Sequence, residues 1–112
     1  MSARAETWLW IVQRGAALVL ALAVTVHLAT IIYAVHRGLS AAAILARLQG
    51  NDAWLLFYLV FAAAAALHGG IGLRTIVRET TTWRGPSLDA AVGAFILLVA
   101  FAGWRAAGAL FA

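Results

Sequence analysis

The chain has no cysteine and no lysine, a single proline, and only four acidic residues among 112. Without cysteine there is no disulfide, no thiolate zinc site, no iron–sulfur ligation and no covalent attachment of a c-type haem. Charged residues make up 11% of the chain against 65% hydrophobic, which is too apolar for a soluble domain of this size. There is no nucleotide loop, no catalytic triad and no cluster of metal-binding carboxylates, so no soluble catalytic domain is encoded here. The formal charge of +4 is spread over segment ends without a basic stripe, which argues against nucleic acid as a partner.

What is present is apolar length. A membrane crossing needs roughly 20 predominantly apolar residues, and three segments supply them. Gly15 to Val35 and Ala53 to Leu73 carry no formal charge, and a third run, about Leu88 to Phe111, carries Arg105 near its far end. The expected fold is an all-α membrane protein with three transmembrane helices, forming one domain over 1–112. The helices are expected at about Trp8–His36, Asp52–Arg78 and Leu88–Phe111, with a short amphipathic surface helix at about Ser40–Gln49. Ser40 reads as its N-cap and Gly50 as its stop, while Pro86 suits the start of the last helix. Trp8 and Trp10 suit a headgroup belt, with Gln13 and Arg14 at the boundary. The first apolar run is longer than a signal-peptide core of roughly 7–15 residues, so it reads as a span.

Orientation follows from arginine. Arg4, Arg14, Arg74, Arg78 and Arg84 fall on the side of the N-terminus, and Arg37, Arg47 and Arg105 on the other. The bias favours the N-terminus inside and the C-terminus outside.

Against this background one histidine stands out. His68 ends an apolar run and is followed by Gly69, Gly70, Gly72 and Arg74. An ionisable side chain at membrane depth is costly and marks function, and imidazole is a common axial ligand of electron-transfer haem. Gly72, one turn on, clears the same helix face for a flat macrocycle. Arg74 at the boundary is suited to a haem propionate or belongs to a positive-inside cluster with Arg78 and Arg84. The alternative for His68 is a packing histidine bonded to a neighbouring helix. It lies ~8 Å inside the inner boundary, whereas His27 lies ~12 Å from the outer one. His27 is thus either a ligand of a second haem or a packing histidine bonded to Thr25 or Thr30. His36, beside Arg37, reads as interfacial. The two deep histidines do not share a depth and cannot ligate one iron, so a low-spin haem here needs a second ligand from another chain. Arg14 is placed for a quinone carbonyl or a propionate, or serves topology alone.

These residues resemble the small membrane anchors of succinate:quinone oxidoreductase and fumarate reductase, respiratory complex II. The resemblance rests on Gln13-Arg14-Gly15 at the start of the first helix. It rests also on a His-x3-Gly-x-Arg pattern, His68, Gly72 and Arg74, with the acidic Glu79 near the end of the second. It covers about residues 8 to 90. It implies a haem b-binding anchor (cytochrome b) subunit, contributing half of a helical bundle completed by a second anchor subunit. An iron–sulfur subunit and a flavoprotein subunit, membrane lipid and quinone are the other implied partners. It implies the inner (cytoplasmic) membrane, with one or two haems: His68 in either case, His27 as well in the two-haem arrangement. Thr80 stands where many such anchors carry a quinone-contacting tyrosine, so Trp83 and Arg14, or the partner anchor, are the quinone contacts to consider. The competing readings are a cofactor-free membrane assembly subunit with packing histidines, and a transporter subunit relaying protons through His27 and His68.

Overall fold

A computed structural model describes residues 1–111 and is helical throughout its regular structure. Its order is α1 (Ala3–Arg37), α2 (Ala41–Leu48), α3 (Asp52–Thr80) and α4 (Pro86–Phe111). Three of these, α1, α3 and α4, are long and apolar enough to cross a membrane. The overall dimensions are 49 × 23 × 22 Å, and the long axis matches a bilayer of roughly 40–45 Å including headgroups.

The helices begin where side chains satisfy the orphan amides of a first turn. Ser2 Oγ accepts from the Ala5 amide at 3.2 Å, Ser40 Oγ from Ala43 at 3.1 Å, and Asn51 Oδ1 from Trp54 at 3.2 Å. The Ser2 cap starts α1 at Ala3, earlier than the expected Trp8, so a short amphiphilic stretch bearing Glu6 precedes the charge-free crossing. Likewise α3 runs on to Thr80, where its end is closed by the Thr81 amide donating to the Val77 carbonyl at 2.9 Å. Gly50, with φ of +76°, makes the tight passage from α2 into α3.

The central element is α3, and α1 and α4 pack on it rather than on each other. Small residues make the α3–α4 approach close, as befits packing in lipid. A Cβ at Gly103 would stand 2.5 Å from the Ala62 Cβ, and one at Gly70 would run into the Ile96 side chain. The few buried apolar residues include Ala64, Ala66, Ile71, Leu88 and Val92. Much of the remainder is exposed in the isolated chain: Leu18, Leu22, Leu97 and Leu98 are each more than 60% exposed. Such surfaces suit lipid or a partner helix. On the far side from the N-terminus, α2 lies against the end of α4. Arg47 there donates to the Gly38 carbonyl at 2.8 Å and stands over the Tyr33 ring.

Candidate functional site

The antiparallel packing of α1 on α3 sets the depths of the deep histidines. His27 of α1 meets Tyr58 of α3, and Gln13 of α1 meets the α3 backbone at Gly72. His68 is ten residues along α3 from Tyr58, ~15 Å at helical rise. The two histidines therefore occupy different levels, and each faces its own surroundings.

On α3, Tyr58, Phe61, Ala65, His68 and Gly72 fall within an arc of about 80° at 3.6 residues per turn. They form one stripe, and α1 lies along it. At the His27 level the stripe is aromatic. The Phe61 ring stands edge-on to His27 with centroids 5.4 Å apart, and the Tyr58 ring at 5.7 Å. His27 Nδ1 and the Tyr58 hydroxyl are 3.1 Å apart. The partner of the His27 ring is thus neither Thr25 nor Thr30. Both threonines bond locally, Thr25 to the Ala21 carbonyl and Thr30 to the carbonyl of His27 itself. Beside His27 a notch of about 300 Å³ opens between the helices, floored by Ala62, Ala65, Gly103 and Ala106.

At the His68 level the stripe is small and polar. His68 is half-buried, and its Nδ1 is enclosed without a hydrogen-bond partner. The space that Gly72 leaves beside it is taken by Gln13, whose Nε2 lies 3.5 Å from where a Cβ would be. Gln13 Oε1 is also buried and unpaired. The third histidine, His36, sits at the exposed end of α1, with Nδ1 donating to the Ile32 carbonyl at 2.9 Å.

The charged end of the site is built around Arg74, which is only 7% exposed. Its Nε donates to Asp89 Oδ1 at 2.8 Å, and its Nη1 and Nη2 donate to the two Glu6 oxygens at 3.2 and 2.8 Å. Arg78 adds a contact to Glu6 at 3.0 Å. Both edges of the Arg74 guanidinium are therefore committed to carboxylates of this chain, and a propionate there would have to displace one of them. Arg14, in contrast, is exposed, with its guanidinium 5.2 Å from the centroid of the Trp10 ring. It takes part in no ion pair among the described residues. Past the cluster, Thr75, Arg78, Glu79 and Arg84 line an open polar cleft of about 310 Å³.

Sequence reasoning brought out His68, His27, Gly72, Arg74 and Arg14 but missed Tyr58, the Gln13 contact, Glu6 and Asp89. A signal existed for the acids. Glu6 and Asp89 lie in the first turns of α1 and α4, and Arg74 lies near the end of α3. Three antiparallel crossings bring those ends together.

A family model described as the succinate dehydrogenase/fumarate reductase transmembrane subunit matches residues 1–107. No curated protein matches the chain, and no solved structure does.

Proposed function

Because the chain belongs to the succinate dehydrogenase/fumarate reductase transmembrane subunit family, we propose that it is a haem b-binding anchor of that complex. In this reading it lies in the inner (cytoplasmic) membrane with its N-terminus inside. There it docks the iron–sulfur subunit, which the flavoprotein subunit feeds, and helps pass electrons to or from membrane quinone. The observation that supports it is the contrast among the histidines. His27 and His36 have Nδ1 engaged by the protein, whereas His68 holds a buried Nδ1 with no partner. A buried polar atom left unpaired is costly and calls for an explanation. A ring that ligates iron fits this state: it is neutral, binds through one nitrogen, and keeps a proton on the other for a hydrogen bond of its own.

His68 would hold haem b, which would supply one-electron chemistry between the soluble subunits and quinone. His68 would be this chain's ligand to the iron, and any second ligand would come from the second anchor subunit, because His27 meets α3 at Tyr58, ~15 Å along that helix from His68. Gly72 removes bulk from the His68 face. The uncommitted Arg14, at the membrane boundary, holds a propionate or hydrogen-bonds a quinone carbonyl. Arg74 fixes the ends of the three crossings through Glu6 and Asp89 and reaches a propionate only by exchange with one of them. In a two-haem arrangement His27, steadied by Tyr58 and facing the small-residue notch, would hold the second haem toward the other side.

The test is the haem b content of the gently solubilised, purified complex, read from reduced-minus-oxidised spectra. His68→Ala is expected to remove one haem b per complex from the two-haem arrangement, or all of it from the one-haem arrangement. Unchanged haem content in an assembled His68→Ala complex would overturn the assignment. A wild-type complex without haem would instead leave a cofactor-free anchor with packing histidines.

A further inference from the structure

Among the described residues, only two buried side-chain polar atoms lack a hydrogen-bond partner: His68 Nδ1 and Gln13 Oε1. Both lie at one level of the α1–α3 contact. Gln13 projects from α1 onto Gly72, and Gly72 is one turn from His68 on the same face of α3. The atoms are also complementary. A histidine that binds iron through Nε2 presents Nδ1–H as a donor, and an amide oxygen is an acceptor only. We propose that Gln13 is the positioning residue of His68, its side-chain carbonyl accepting the Nδ1–H hydrogen bond that fixes tautomer and ring plane. The inference rests on the haem reading above and adds to it a residue that touches neither iron nor quinone.

Two comparisons within the chain support it. His27 is already held in this way, its Nδ1 meeting a side chain across the α1–α3 contact, the Tyr58 hydroxyl at 3.1 Å. His36 shows the local alternative, bonding back one turn to a carbonyl at 2.9 Å. His68 takes neither route. The last torsion of glutamine is broad and nearly two-fold, so turning the amide over brings Oε1 to the place now held by Nε2, 3.5 Å from the Gly72 Cβ position. Glycine at 72 is what admits the amide here. A larger side chain would lean toward the preceding turn, over the His68 side of the stripe.

An acceptor on Nδ1–H makes an imidazole a more basic ligand and favours the oxidised iron. Redox titration of the haem in the purified complex, with electron paramagnetic resonance of the ferric state, tests this in the wild type, Gln13→Leu and Gln13→Glu. Removing the acceptor in Gln13→Leu is expected to raise the midpoint potential and weaken haem retention by about 10-fold or more. A stronger acceptor in Gln13→Glu is expected to lower the potential. Potentials and resonance positions unchanged in both variants, with haem retained, would overturn the role of Gln13 and leave His68 as a ligand. A shift in the same direction in both would also overturn it, because it would report packing. Haem content indifferent to His68→Ala would overturn the ligand reading and this inference with it.

Discussion

At the scale of single residues, the charged end of the bundle is governed by one side chain. Arg74 is buried and donates three charge-assisted hydrogen bonds to two carboxylates, whereas Glu6 and Asp89 are each about a third exposed in their side chains. Removing one acid leaves Arg74 with the other, and partial exposure screens the loss. Glu6→Gln and Asp89→Asn should therefore each cost no more than about 1 kcal/mol. Arg74→Met strands both acids at once and should cost about 1.5–3 kcal/mol, the scale of hydrogen bonds to charged groups. Thermal unfolding of the purified complex checks the order. Equal losses for all three substitutions would show that Arg74 is not the hub. The contrast with Arg14 is instructive, because two arginines at one membrane boundary differ wholly in commitment. One is locked by carboxylates, while the other rests on Trp10 with its donors available.

At the scale of helices, the bundle depends on how closely α3 and α4 approach. The Gly103–Ala62 contact leaves no room for a methyl group: a Cβ on Gly103 would lie 2.5 Å from that of Ala62. Both atoms are fixed to their backbones, so the helices themselves must move. Gly103→Ala should destabilise the pair by about 1–3 kcal/mol, the usual scale of overpacking. Adding Ala62→Gly should recover most of it, and failure of that double variant to recover would place the effect elsewhere. The crossings themselves were legible in the sequence, because charge-free length is a property of composition and survives any error of register. Helix ends were less so. α1 starts early because one serine caps it, and α3 runs two residues past Arg78. His68 was legible by residue type and depth alone. Gln13 was not, because at the end of an apolar run it reads as a boundary residue. Only the register of α1 on α3 turns it toward Gly72. Tyr58 and the acids around Arg74 escaped for the same reason, since partners 31, 68 and 15 residues away leave no local pattern.

At the scale of the whole molecule, three crossings put the N-terminus and the α3–α4 connection at one end, and α2 and the end of α4 at the other. Five arginines accompany the first end and three the second, which predicts the first end inside. Because the chain has no cysteine, a single engineered thiol reports side without ambiguity. Ser2→Cys should react with an impermeant maleimide only in inside-out vesicles, and Ala109→Cys only in right-side-out ones; the reverse pattern would invert the topology. The Arg74 cluster has a further consequence for biogenesis. Glu6 is synthesised first and waits 68 residues for Arg74, and Asp89 follows 15 residues later. The three come together once two crossings, α1 and α3, have been completed in opposite senses. A chain that leaves α1 or α3 out of the bilayer puts Glu6 and Arg74 at opposite faces. The latch is thereby a readout of topology: it closes only where the first two crossings run in opposite senses.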